Sequence, residues 1–120
     1  VVDLRSLRPL DTDTVLTSVR KTGRVVAAES DWSMCGVAGE IVALAAERCF
    51  SDLKAAPIRV TLPDHPLPTS PALSKGFYPG AGDIAKQALI QLGLPTPEDV
   101  LYPESSRPHD VPDLSFVGPF

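Results

Sequence analysis

Apolar positions in this chain come in short blocks whose spacing changes from one block to the next. VVDL (1–4) is a compact run rich in β-branched residues, as in a strand. The turn-like RSLRPL follows, where Pro9 has no N–H to donate to a ladder. Val15, Leu16 and Val19 then recur at helical spacing behind Asp11, a residue type that caps helix N-termini, with Asp13 near the positive end of the helix dipole. The pattern predicts a helix to about Lys21, closed by Gly23 at the left-handed C′ position. RVVAA (24–28) is almost wholly apolar and reads as a parallel strand buried on both faces.

A second helix is predicted from near Gly36 through VAGEIVALAAERCF to about Phe50, because Ala, Leu and Glu dominate and no Pro intervenes. Glu40, Glu47 and Ser51 share one stripe of it, but Val37 and Leu44 lie close beside them. So narrow an exposed stripe predicts cover on two sides. PIRVTL (57–62) predicts a third strand, and GDIAKQALIQLG (82–93) a third helix with Ile84, Ala88, Leu89 and Leu92 at helical spacing and Gly93 closing it. The order β-α-β-α-β-α implies a mainly parallel sheet with right-handed crossovers, an α/β fold of three layers, α/β/α. Three strands make a thin sheet with two open edges, so a larger structure or self-association is expected.

Composition narrows the function. Of 120 residues 43% are apolar and 22% charged, with a net charge of -4 and scattered basic residues. That balance argues against nucleic acid or an acidic membrane surface as partner. No apolar run approaches the ~20 residues that cross a bilayer, and no signal peptide is evident, so a soluble chain is expected. Cys35 and Cys49 form neither a disulfide framework nor a paired zinc pattern, consistent with a reducing cytoplasm. Twelve of the thirteen prolines lie from Pro57 onward. They predict an extended, rigid LPDHPLPTSP loop and divide a domain at 1–93 from an extended, proline-rich tail at 94–120 that wraps a surface or stays mobile.

There is no Gly-rich phosphate loop and no Asp-rich metal loop. In a parallel sheet the loops 5–11, 29–36 and 62–80 gather at the C-terminal edge, where α/β folds bind ligands. That edge carries Arg5, Arg8, Asp31, Asp64 and His65. Two readings stand: packing against neighbouring subunits, or plain loop solvation. His65 reads as a solvated or interface histidine rather than a general base, and His109 as solvated. Cys35, ahead of a helix, has no base in view and reads as an unreactive structural thiol, with Cys49 in the core. Trp32 reads as a packing or interface anchor. The candidate interface is therefore Arg5, Arg8, Trp32, Val37, Leu44, Asp64 and His65, with no catalytic, cofactor-binding or metal residue assigned.

Asp3, Leu4, Arg5, Pro9, Leu10 and Asp11, then Lys21 to Arg24, Glu29, Trp32, Gly36, Glu40 and Ile41, make a combined motif. It resembles the beta subunit of thiamine-diphosphate-dependent 2-oxoacid dehydrogenases, with the pattern V-I-D-L-R-T-L-x-P-L-D, K-T-G-R, then an acidic residue and Trp before G-x-x-x-E-I. APIRVT and the D-x-P-x-P of Asp64, Pro66 and Pro68 match as well. The resemblance covers about residues 1–92 and implies the transketolase-type C-terminal domain, here lacking its first strand and helix and the pyrimidine-binding domain. PTSPALSKGFYPG looks closer to the acetoin and bacterial 2-oxoacid forms than to the mitochondrial pyruvate type.

For the whole enzyme the resemblance implies oxidative decarboxylation of a 2-oxoacid on thiamine diphosphate and Mg, with acyl transfer to lipoyl. The cofactor would be bound mainly outside this segment, leaving the isolated chain inactive. The implied partners are an alpha subunit, a second beta subunit and the lipoyl acyltransferase core. The acidic tail residues Glu98, Asp99 and Glu104 have two readings, contact with the basic binding domain of that core or, the commoner case for a charged tail, plain solvation. Competing readings are another thiamine-dependent enzyme, such as transketolase or deoxyxylulose-phosphate synthase, and a binding module that kept the fold without the enzyme. The tail from about Leu94 departs from the family pattern.

Overall fold

The structure, a computed structural model, describes residues 1–74 and 76–101. Helix α1 (Thr12–Thr22) starts where an Asp11 carboxylate oxygen accepts the Thr14 amide at 3.0 Å. It ends at Gly23, whose φ of 69° is the left-handed conformation and where a Cβ would meet the Asp52 carbonyl oxygen at 2.7 Å. Conformation and close approach both require glycine there.

Two parallel strands follow, β1 (Val26–Trp32) and β2 (Ile58–Leu62), with Val26 opposite Ile58, Ala28 opposite Val60 and an irregularity before Trp32 opposite Leu62. Between them runs α2 (Val37–Cys49), extended by a 3₁₀ turn at Phe50–Asp52. Val15, Leu16 and Val19 of α1 pack with Val25 and Ala27 and with Ala38, Ile41, Ala45 and Cys49 of α2 in one buried cluster. The predicted apolar face of α1 and the core position of Cys49 are both found. Val60, Leu62 and Phe77 are buried outside that cluster. Helix α4 (Ala81–Leu92) packs on both strands on that side, giving the α/β/α layering. Two short helices, α3 (Pro71–Ser74) and α5 (Glu98–Leu101), flank α4.

A polar clamp joins these layers. Arg24 Nε donates to the Gln91 carbonyl at 2.8 Å, and Gln91 Nε2 donates to the carbonyls of Val25 at 2.9 Å and Ala56 at 2.8 Å. The end of α4 is thereby tied to the segments that lead into both strands.

Three expectations are corrected. Val1–Leu4 is not a strand: the Arg5 amide donates to Asp3 Oδ1 at 3.2 Å, the Ser6 amide to the Leu4 carbonyl at 2.5 Å, and Arg5 has a φ of 57°. These local bonds occupy groups a ladder would use, so the described residues hold a two-stranded sheet. The second predicted strand spans 26–32 rather than 24–28, and it is not buried on both faces: Ala28 is exposed and Val26 half-buried. The tail is not uniformly extended, since α5 forms one helical turn within it. The calls on Glu104 and His109 lie outside the described residues.

At the start of α2, Gly36 is the N-cap but supplies no side chain. Glu29 of β1 does so instead, its Oε1 accepting the Ala38 amide at 3.0 Å. A Cβ on Gly36 would stand 2.2 Å from that same oxygen and 2.6 Å from the Trp32 carbonyl oxygen. Gly36→Ala should therefore force the strand end and helix start apart and destabilise the chain by about 2 kcal/mol. Urea unfolding followed by circular dichroism measures this, and an unchanged midpoint would contradict the tight packing.

Candidate functional site

The C-terminal ends of the two parallel strands place their following loops side by side. In β2, alternation sets Val60 and Leu62 on one face and Arg59 on the other, toward α2. From there Arg59 Nη1 donates to the Ser33 carbonyl in the loop after β1. Asp64, just past β2, completes the connection: its Oδ2 accepts the Ser33 hydroxyl at 2.8 Å and its Oδ1 accepts the Met34 amide at 3.2 Å. The Ser33 hydroxyl, then the Met34 amide, hold the Asp64 carboxyl below its ordinary value, and the Arg59 charge adds to them.

Next to this latch, the His65 ring meets Phe77 edge-on at 5.1 Å, and Phe77 meets Tyr78 at 5.5 Å. His65 Nδ1 lies 3.2 Å from the Pro66 carbonyl oxygen. A cleft of about 500 Å³ opens between β2 and the start of α4, lined among others by Arg59, Thr61, Phe77, Asp83 and Gln87.

The arrangement is suited to holding loops rather than to acid–base chemistry. A carboxylate kept ionised by hydrogen bonds is a weak base, so Asp64 positions Ser33 without activating it. His65 is directed at a carbonyl and an aromatic ring, and no hydrogen bond joins it to Ser33. Thiamine diphosphate with magnesium needs oxygen ligands for the ion and a carboxylate against the aminopyrimidine. Among the described residues no three of His, Cys, Asp and Glu are grouped to hold a metal ion, and no charged side chain is buried. The described residues do not fit that cofactor.

Of the predicted edge residues, Asp64 and His65 stand together beside the 29–36 loop. Asp31 accepts the Trp32 amide at 2.7 Å, and Trp32 is about half-exposed at 49%. Arg5 pairs with Asp3 at 3.0 Å within its own turn, and Arg8 is exposed. Val37 and Leu44 are half-buried, packed against the core cluster on one side. Glu98, read as meeting a basic partner, forms an ion pair with Lys86 of α4 at 2.6 Å, and Asp99 is exposed. Cys35 is a free, exposed thiol with a φ of 64°. Arg59, Ser33 and Glu29 were not singled out as site residues. The period-2 alternation of IRVTL would have flagged Arg59, whereas the pairing of Ser33 with a residue 31 positions away has no local signal.

Folding lowers the Asp64 pKa below the ordinary 3.8, so this group's contribution to stability is complete above that value and is lost as pH falls through the lowered pKa. Parent chain and Asp64→Asn should differ in urea midpoint near neutral pH and converge in acid below 3.8. A gap that persists undiminished far into that acid range would contradict the latch.

Comparison with known proteins places this architecture. Residues 1–84 match the family model described as Transketolase, C-terminal domain. The beta subunit of acetoin:2,6-dichlorophenolindophenol oxidoreductase from Cupriavidus necator is 44% identical over 88 residues, 73% of this chain and 26% of that protein. The 2-oxoisovalerate dehydrogenase subunit beta of Pseudomonas aeruginosa is 44% identical over 80 residues, 67% of this chain and 22% of its own. The pyruvate dehydrogenase E1 component subunit beta of Bacillus subtilis is 39% identical over 88 residues, 73% and 27% respectively. The chain spans about a quarter of the length of these curated relatives. With the family match running from the Val1 turn through both strands and into α4, this chain belongs to the transketolase C-terminal domain family.

Proposed function

We propose that the chain is the C-terminal part of the beta subunit of a 2-oxoacid dehydrogenase first component. In the whole enzyme a 2-oxoacid is decarboxylated on thiamine diphosphate and the acyl group passes to a lipoyl arm. This segment serves subunit assembly and docking to the acyltransferase core. The observation that carries the reading is the set of relatives, which are named as beta subunits of acetoin, 2-oxoisovalerate and pyruvate enzymes at 39–44% identity. Those names favour this reading over transketolase or deoxyxylulose-phosphate synthase.

The sheet edge supports an assembly role on physical grounds. The Asp64 latch immobilises two loops at no cost to a partner, and it leaves Trp32, Met34 and His65 exposed around it. Preordered loops lose little entropy on association, and a half-exposed tryptophan is the residue type that anchors interfaces. The alpha subunit and a second beta subunit are the proposed partners.

Two experiments test this. When the beta subunit carrying this segment is co-expressed with its alpha subunit, Trp32→Ser and His65→Glu should each lower recovery of the complex at least fivefold while the beta subunit stays folded. Unaltered recovery with both variants would sink the assembly role. The 120-residue chain given thiamine diphosphate, magnesium and a 2-oxoacid should release no carbon dioxide, and measurable turnover would overturn the assignment of chemistry elsewhere.

A further inference from the structure

Strand β2 pairs with β1 on one side only. The Ile58 amide donates to the Val25 carbonyl at 3.0 Å, so Ile58, and by alternation Val60 and Leu62, turn their backbone groups toward β1. Arg59 and Thr61 turn theirs to the other side, and among the described residues no hydrogen bond reaches those two N–H and two C=O groups. The cleft of about 500 Å³ opens beside them, lined by the whole stretch from Arg59 to Pro63. A row of unpaired ladder groups is a template for another strand.

We propose that a second copy of this chain pairs its β2 antiparallel to this edge, about a two-fold axis at Val60, and so joins two sheets into one of four strands. The edge is self-complementary. With Val60 opposite Val60, Arg59 faces the second copy's Thr61, and each such pair exchanges two N–H to C=O bonds. Every open group of both strands is then satisfied, and no arginine opposes another. Pro57 and Pro63 stand three residues to either side of Val60, so they end the ladder at the same point on both strands. The helices favour a second copy over a lone foreign strand. Both α2 and α4 pack across β1 and β2, so the pairing sets each beside its symmetry mate at twice the strand spacing, about 10 Å, the distance of packed helices. The side of α2 next to Arg59 bears only small residues: a Cβ on Gly39 would stand 3.7 Å from Arg59 Nη1, and Ala43, which is exposed, and Ala46 follow at helical spacing. On α4 the cleft side carries Asp83 and Gln87, with Ile90, 49% exposed, next in the row. A second copy covers both rows and gives α2 the second covered side that its narrow polar stripe calls for. Trp32, Met34 and His65 take no part, so the contact goes beyond the role proposed for the strand-end loops and is independent of it.

Residue-resolved amide hydrogen exchange and sedimentation of the full 120-residue chain test this together. At about 1 mM the Arg59 and Thr61 amides should exchange about tenfold more slowly than at about 20 μM, as a monomer passes to a dimer, while the Val60 amide stays slow at both concentrations. Thr61→Pro removes an outward amide and no bond to β1, and Ala43→Arg adds bulk at an exposed position of α2. Each should lower the dimer fraction at least fivefold with an unchanged circular dichroism spectrum, and Ala43→Arg decides alone where Thr61→Pro fails to fold. Trp32→Ser should leave the dimer intact, which separates this contact from the strand-end loops. Fast exchange of Arg59 and Thr61 at every concentration would overturn the proposal. So would protection that dilution does not remove, which assigns the edge to this chain's own residues, or a dimer that survives Ala43→Arg.

Discussion

The contact between Glu29 and the first turn of α2 sets the geometry on which the described fold depends. A helix leaves its first amides without partners, and here a carboxylate from the preceding strand satisfies one of them at 3.0 Å while placing negative charge at the positive end of the helix dipole. The contact is possible because Gly36 has no Cβ in the gap. It fixes where α2 starts relative to β1, which in turn sets Ala38, Ile41 and Ala45 against Ala27 and against Val15, Leu16 and Val19 of α1. The loop that must span this junction, residues 33 to 35, is what Arg59 and Asp64 then hold.

The helices were readable from the sequence because their signals are local. Asp11 and Gly23 delimit α1 through their own side chain and φ, and Gly93 closes α4 in the left-handed conformation with a φ of 68°. Residues 1–4 show where local composition fails. Four apolar-rich residues are compatible with a strand, but the Asp3 side chain offers the backbone a competing turn. The burial of β1 also depended on a partner rather than on composition, since Ala28 is apolar yet exposed.

The site was legible in outline only. Placing the strand-end loops together followed from parallel topology, and Asp64 and His65 were found there. The hydrogen bonds that organise the edge link residues 26 to 31 positions apart, a separation with no periodic trace. Glu29, Trp32 and Gly36 were visible as a motif, whereas the reason for their spacing is three-dimensional: a strand-end carboxylate, an exposed aromatic and a glycine that lets the two elements meet.

Gln91 has a consequence for how the chain acquires this form. Its side-chain amide donates to Val25 and Ala56, residues that lie 66 and 35 positions earlier and come together only when the two strands are aligned. Sliding one strand past the other by a single residue would displace one carbonyl by about 3.3 Å, farther than one amide group can accommodate. Helix α4 is therefore a proofreading element, because its final turn can lock down only on a correctly registered sheet and adds its binding energy to that arrangement alone.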